Sequence, residues 1–170
     1  MILGMSVPTF TMFHVVLSLV GIVAGLIVLG GMLGSKKLEG WTALFLATTV
    51  LTSATGFLFP FVKVLPSHIV GVISLAVLAV AIVALYVCGL AGRWRWIYVA
   101  SAVFALYLNA FVGVVQAFLK IPSLKTLAPT QAEPPFVVAQ AVVLVAFVGL
   151  GILAARSFHP ETGASSLRTA

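Results

Sequence analysis

The chain has 170 residues, of which 62% are hydrophobic and only 7% are charged, and its mean hydropathy is +1.27. A soluble domain carries roughly 25% charged residues, so this chain lacks the polar surface of a soluble protein and needs the bilayer as its solvent. The formal net charge is +6. Because the basic residues stand at the ends of apolar segments, this charge indicates membrane orientation and anionic lipid headgroups, and not nucleic acid.

Five apolar runs follow one another along the chain and predict an all-α bundle of five transmembrane helices. They cover residues 10–33, 41–59, 68–90, 94–119 and 135–155. Each run approaches or exceeds the ~20 residues that a helix needs to cross the hydrocarbon core. The first ten residues contain no lysine or arginine, which does not match a signal peptide, so the first run is expected to remain as a span. Residues 1–156 are therefore predicted to form one transmembrane domain, followed by a polar, disordered tail over 157–170.

The basic residues predict the orientation of this bundle. With five spans, the first loop, the third loop and the tail share one side of the membrane, and they hold Lys36, Lys37, Arg93, Arg95, Arg156 and Arg168. The opposite side holds Lys63, Lys120 and Lys125. Since basic loops are retained in the cytoplasm, we expect the N-terminus outside, the C-terminus in the cytoplasm, and the loop over 120–134 outside.

The polar residues of the outer half predict a ligand site. The fourth run holds Asn109 and Gln116, the following loop holds Gln131 and Glu133, and Gln140 stands just inside the fifth run. A carboxamide within a span is costly unless it is hydrogen-bonded, so these groups must face protein or a wet cavity. They predict either hydrogen bonds between helices or a polar pocket that the loop covers. With a sixth residue, His14 of the first run, they form the predicted ligand-binding set.

Small and hydroxylated residues are arranged at helical spacing in the first two runs. Ser18, Gly21 and Gly25 share one face of the first helix, which predicts close packing against a neighbouring helix, with a groove for a flat ligand as the alternative. Thr48, Thr52 and Thr55 share a face of the second helix. Their hydroxyls are able to bond to the carbonyls of their own helix, to contact other helices, or to line a polar site.

The chain contains no catalytic motif of the GxSxG, HExxH, P-loop or dinucleotide-binding type. Its single cysteine, Cys88, provides neither a disulfide nor a metal cluster. We therefore expect a non-enzymatic membrane protein, without catalytic residues, metal or cofactor, that has an accessory role or binds a small ligand or lipid. The expected partners are the lipid bilayer and other membrane proteins or further copies of the chain, and not nucleic acid.

Two alternatives remain open. His14 and His68 both stand near the outer ends of spans, where two imidazoles on facing helices could ligate a b-type haem in a redox subunit. The outer polar residues could instead form the entrance of a small-solute transporter. No carboxylate lies within any predicted span, which leaves such a transporter without the usual carriers of protons or cations.

The runs FHVVLSLVGIVAGL, TSATGFLFPF, LPSH and FVGVVQAF, with APTQAEPPF, resemble a set of small, uncharacterised inner-membrane proteins of proteobacteria. This resemblance covers most of the chain except the tail. It implies a bacterial inner-membrane location and no particular activity, and it assigns no functional residues.

Overall fold

The structure, a computed structural model, describes residues 1–59 and 66–160. Its regular elements in this part of the chain are helices: α1 (Val7–Leu33), α2 (Glu39–Gly56), α3 (Pro66–Ile82), α4 (Trp94–Lys120), α5 (Pro122–Leu127) and α6 (Pro134–Ser157). A π-helical turn, Val83–Val87, extends α3. The predicted all-α class is confirmed, and the ends of the five predicted runs lie within three residues of observed helix ends. The short helix α5 was not predicted.

Within the described residues, four helices are long and apolar enough to cross a membrane: α1, α3 with its π-helical turn, α4 and α6. The second helix, α2, has 18 residues and carries Glu39 in its first turn and five threonines and one serine along its length. These polar residues lower its hydropathy below that of the other long helices. The chain thus has the composition of a multi-pass membrane protein, while the fifth span remains a prediction.

The fourth helix, α4, lies at the centre of the bundle and contacts α1, α3 and α6, and α2 lies between α1 and α3. The apolar core includes Val28 of α1, Phe45 of α2, Leu78 of α3 and Leu106 of α4, all buried. The last helix, α6, packs mainly on α4, and Ala154 is its one buried residue. The bundle therefore consists of a well-packed set of helices α1–α4 with α6 along its side.

The predicted close packing of the glycine face of α1 is present. A Cβ atom placed on Gly25 would lie 2.5 Å from Leu106 Cδ1 and 2.9 Å from two ring carbons of Phe45. Both neighbours are buried core residues, so neither has free space to move into. Gly25 therefore brings α1 against α2 and α4 at a distance that no larger residue allows.

The end of α6 is anchored to the bundle. Phe158, which follows α6, is buried against Tyr98, and its carbonyl accepts a hydrogen bond from the Arg95 guanidinium. The backbone N–H of His159 donates to Ser35 Oγ at 2.9 Å. The first residues of the predicted tail thus pack on the ends of α1 and α4, and residues 161–170 lie outside the described part of the chain.

Candidate functional site

A polar cavity of about 100 Å³ lies among α1, α2, α3 and α4. Its lining also includes apolar residues such as Phe57, Leu108 and Val112. The polar side chains come from all four helices: His14, Ser18, Thr49, Thr52, Ser53, His68, Ser74 and Asn109. The cavity lies toward the end of the bundle where α1 begins, α2 ends and α3 begins. Such a concentration of hydrogen-bonding groups in an apolar bundle is the strongest candidate for a functional site.

Asn109 and Ser18 form the inner end of this cavity. Ser18 Oγ donates a hydrogen bond of 3.0 Å to Asn109 Oδ1 across the α1–α4 interface. Asn109 is only 8% exposed, and its Nδ2 has no hydrogen-bond partner. A Cβ on Gly21 would lie 3.2 Å from this nitrogen, so the absence of a side chain at Gly21 makes room for the amide. Asn109 therefore presents a free donor inside the bundle.

Two threonines of α2 add unpartnered hydroxyls. Thr49 is 1% exposed, and the hydroxyl oxygens of Thr49 and Thr52 have no hydrogen-bond partner. In contrast, Thr48 and Thr55 on the same helix donate to the carbonyls of Leu44 and Leu51, both at 2.7 Å. A threonine hydroxyl in a helix usually has such a carbonyl available. Thr49 and Thr52 thus leave their hydrogen-bonding capacity for something in the cavity.

His14 is oriented by Thr55. Its Nδ1 lies 2.9 Å from Thr55 Oγ1. The shorter bond from Thr55 to the Leu51 carbonyl takes the single hydroxyl hydrogen, so His14 Nδ1 donates and Thr55 Oγ1 accepts. In the neutral imidazole the other ring nitrogen, Nε2, is then an acceptor. The edge-on ring of Phe59, 5.2 Å from the imidazole centre, packs beside it.

The side of the cavity formed by α2 and α3 is closed by direct contacts. Ser53 Oγ donates to Ser74 Oγ at 3.0 Å. Gly71 lies close to the Phe57 ring, since a Cβ there would be 3.1 Å from Phe57 Cζ. The ring of His68 lies 5.7 Å from the same phenylalanine. These contacts hold the polar ends of α2 and α3 together and leave the unpartnered groups of the cavity on α2 and α4.

The six predicted ligand residues do not lie together, because two of them line the cavity and four lie elsewhere. His14 and Asn109 line the cavity. Gln131 Nε2 donates to the Val115 carbonyl at 2.9 Å, and Gln140 Nε2 donates to the Phe111 carbonyl at 3.2 Å. These two glutamines attach the loop and α6 to neighbouring turns of α4. Gln116 is exposed on the surface of α4.

Glu133 is occupied within its own loop. Its carboxylate accepts hydrogen bonds from the hydroxyl and N–H of Thr130, at 2.9 and 3.1 Å, and from the N–H of Ala132 at 3.1 Å. Desolvation raises the pKa of Glu133, but the hydrogen bonds from Thr130 and Ala132 outweigh it, so that the pKa lies below its usual value. The carboxylate thus stabilises the turn before α6.

Six polar residues of the cavity were missing from the predicted ligand set: Ser18, Thr49, Thr52, Ser53, His68 and Ser74, of which His68 was named only as an alternative haem ligand. For α2 the threonine-rich sequence was the available signal, because a polar lining was one interpretation of its hydroxylated face. Ser74 stands alone in an apolar run, and no pattern of residues distinguishes it.

The predicted alternative, a b-type haem between His14 and His68, requires a cavity large enough for the cofactor. His14 and His68 do line the same cavity, but its volume is only about 100 Å³. Pockets that enclose drug-sized ligands measure roughly 300–1,000 Å³. A haem therefore does not fit between these histidines as the helices are packed. Within residues 1–59 and 66–160, no group of three or more His, Cys, Asp or Glu side chains is placed to hold a metal ion.

Comparison of the chain with known protein families, with curated proteins and with solved structures found no match in any of the three.

Proposed function

We propose that this chain is a five-span, non-enzymatic protein of the bacterial inner membrane that binds a small uncharged polar molecule in the cavity among α1–α4. The observation that carries the proposal is the convergence of Asn109 Nδ2, Thr49 Oγ1 and Thr52 Oγ1, all buried and unpartnered, on one cavity. An unpaired buried polar group costs about 1–3 kcal/mol. Three such groups in one place are best explained by a ligand that pairs with them.

The fifth span is α2. Gly31 of α1 packs against Leu38, which precedes α2, and Phe10 near the start of α1 packs against Phe59, which follows it. The segment between Leu38 and Phe59 therefore extends along α1 from one end to the other. At 1.5 Å per residue, the 18 residues of α2 are about 27 Å long, close to the ~30 Å hydrocarbon core. The buried threonines Thr48 and Thr55 bond to their own helix, which reduces the cost of inserting it.

The chemistry of the lining defines the class of ligand. Asn109 Nδ2 requires an acceptor, His14 Nε2 requires a donor, and the two threonine hydroxyls pair with either. Among the described lining residues there is no lysine, arginine, aspartate or glutamate. A charged ligand would therefore meet no opposite charge, and an isolated ion is costly to bury in an apolar bundle. An uncharged group with both a donor and an acceptor, such as an alcohol or an amide, matches the site.

The distribution of polar residues in the bundle supports binding of a ligand better than transport of a solute. The cavity lies in the half of the bundle where α1 begins, and the interior of the other half consists mainly of apolar residues such as Val28, Met32 and Leu85, with Thr42 and Ser101 as buried polar residues. A transporter needs polar groups near the midplane and on both sides of it. The distribution of basic residues favours an orientation with this polar end outside, since Lys36, Lys37, Arg93, Arg95 and Arg156 lie at the opposite end.

The test is mass spectrometry of small molecules extracted from the purified protein, with Asn109→Leu and Gln116→Leu as a matched pair. Both changes replace a carboxamide of α4, but only Asn109 reaches the cavity. We expect the unaltered protein and Gln116→Leu to retain the same uncharged polar molecule. The Asn109→Leu protein should retain at least tenfold less of this molecule than the unaltered protein, because the leucine fills the cavity and removes the free donor.

Thermal unfolding in detergent serves as the folding control for both variants. The proposal is wrong if Asn109→Leu remains folded and retains the same molecule in the same amount as the unaltered protein. It is also wrong if the unaltered protein carries no such molecule and shows no stabilisation by alcohols or amides of matching size. In that case water fills the cavity and the polar groups only join helices.

A further inference from the structure

A second cavity, outside the polar site, runs as an apolar groove between α4 and α6. It measures about 960 Å³ and is lined along α4 by Trp96, Phe104 and Tyr107 and along α6 by Phe147, Val148 and Arg156. Several of these side chains are exposed, including Trp96 at 47% and Val148 at 52%. The groove therefore faces the surroundings of the bundle, which for these apolar helices means the lipid.

The floor of the groove is formed where the two helices touch. A Cβ on Gly151 would lie 3.3 Å from Val103 Cγ1, so α4 and α6 are in direct contact there. Ala100 and Ala155 continue the floor toward the end that holds Trp96. Since an α-helix with its side chains is about 10 Å across, a cleft between two touching helices suits an extended hydrocarbon chain better than a third helix.

The length of the groove corresponds to one leaflet. From Trp96 to Tyr107 the helix α4 rises about 16 Å at 1.5 Å per residue, roughly half of the ~30 Å hydrocarbon core. The ring of Tyr107 lies 6.0 Å from the ring of Phe147. These two residues lie near the end of the groove that is closest to the middle of α4. The opposite end reaches the turn in which α4 begins, which is also where α6 ends.

The end of the groove where α4 begins and α6 ends carries a cation. Arg156 lines the groove and is exposed, and the groove is also lined by Trp96, a residue type that favours the headgroup region. The neighbouring Arg95 is engaged differently, because its guanidinium donates to the Phe158 carbonyl and lies 5.3 Å from the centre of the Trp96 ring. The ion pair found among the described residues, Lys37 with Glu39, does not involve Arg156.

We infer that this groove binds one anionic phospholipid, with an acyl chain between α4 and α6 and the phosphate at Arg156. The apolar walls, the one-leaflet length and Arg156 as the one cation among the lining residues match the three parts of such a molecule. A zwitterionic phospholipid fits the same walls but lacks the net negative charge. This site is separate from the polar cavity and does not depend on the ligand proposed for it.

The experiment compares retention of phosphatidylglycerol and phosphatidylcholine on the full-length protein by native mass spectrometry after delipidation and addition of each lipid. Arg156→Gln removes the cation, Arg93→Gln removes an exposed cation at the same end that does not line the groove, and Ala100→Leu narrows the groove. A basic side chain near the membrane surface contributes about fivefold to the binding of an anionic lipid. We expect the unaltered protein to prefer phosphatidylglycerol by about that factor.

Arg156→Gln should abolish this preference, Arg93→Gln should keep it, and Ala100→Leu should weaken the binding of both lipids. Circular dichroism and the unfolding temperature report whether each variant is folded. The inference is overturned if the two arginine variants behave alike, because a general basic surface would then explain the preference. It is also overturned if a folded Ala100→Leu protein binds both lipids normally, or if a lipid-free dimer forms, which would place a second copy in the groove.

Discussion

Ser18 Oγ donates to Asn109 Oδ1, and this single bond between α1 and α4 determines which way the buried carboxamide points. With Oδ1 accepting from Ser18, Nδ2 lies beside Gly21 and has no hydrogen-bond partner, and Asn109 is one of the residues that line the polar cavity. The pair therefore both joins two helices and prepares a donor for a ligand. The sequence offered two interpretations of Asn109, a hydrogen bond between helices and a group that faces a polar pocket, and the position of this side chain is compatible with both.

The first prediction measures this bond by a double-mutant cycle of Ser18→Ala and Asn109→Ala. Hydrogen bonds between membrane helices contribute on average about 0.6 kcal/mol and at most about 1.7 kcal/mol, so we expect a coupling energy in that range for unfolding in detergent. Ser101→Ala is the matched control, since the Ser101 hydroxyl donates to the Ile97 carbonyl of its own helix. Its coupling to Asn109→Ala should be near zero, and equal couplings for the two serines would contradict the assignment.

The second prediction concerns the close approach at Gly25. Gly25→Ala places a methyl group within 3 Å of Leu106 and Phe45, which are both buried and unable to retreat. Overpacking of this kind costs about 1–3 kcal/mol, so the unfolding temperature in detergent should fall.

The control for this change is Gly30→Ala on the same helix, where a Cβ meets no atom within 4 Å. Alanine is better than glycine inside a helix by about 0.5–1 kcal/mol, so this variant should be as stable as the unaltered protein or slightly more stable. A Gly25→Ala protein with the stability of Gly30→Ala would show that α1 does not pack as described.

The sequence was sufficient to predict the five long helices, because apolar length alone selects helices in a membrane. It was insufficient for the site. Asn109 and Gln116 are seven residues apart and share a face of α4 by helical periodicity, yet one is buried and the other exposed. Periodicity gives the direction of a side chain, whereas burial depends on which neighbouring helix covers that part of α4.

The role of Gln131 was equally beyond sequence reasoning. Its backbone has a φ of 61°, a conformation that few residues other than glycine adopt, and its side chain reaches back to the Val115 carbonyl. Likewise, the threonines of α2 were visible as a polar face, but which hydroxyls bond to their own helix depends on rotamers. Thr48 and Thr55 do so, while Thr49 and Thr52 do not.

The third prediction concerns the pH dependence of the turn before α6. Because the pKa of Glu133 is below its ordinary value of 4.5, the turn has its full stability above that value and loses it as the pH falls through the lowered pKa. Amide hydrogen exchange at Thr130 and Ala132, corrected for intrinsic rates, should therefore accelerate as the pH falls below 4.5 and through the lowered pKa of Glu133.

Glu133→Gln should remove this pH dependence and exchange quickly at neutral pH, since an amide has one acceptor oxygen in place of two. Glu39→Gln, which changes an exposed acid paired with Lys37 at the opposite end of the bundle, should leave exchange at Thr130 unaltered. Unchanged exchange in Glu133→Gln would show that the carboxylate does not hold this turn.

The last prediction tests topology and the fifth span together. The chain has one cysteine, so Cys88→Ser provides a background for single cysteines at Lys37, Arg93 and Lys125. These positions lie in the α1–α2 connection, in the α3–α4 connection and in α5. If α2 crosses the membrane, Lys37 and Arg93 share one side and Lys125 lies on the other. If α2 does not cross, Lys37 and Arg93 lie on opposite sides, because only α3 then separates them.

With the basic end in the cytoplasm, a membrane-impermeant maleimide should label Lys125→Cys in cells with a permeable outer membrane. It should label Lys37→Cys and Arg93→Cys only after the inner membrane is opened. Labelling of Lys37→Cys without Arg93→Cys, or the reverse, would exclude the fifth span, whereas labelling of both without Lys125→Cys would invert the orientation and turn the polar cavity toward the cytoplasm.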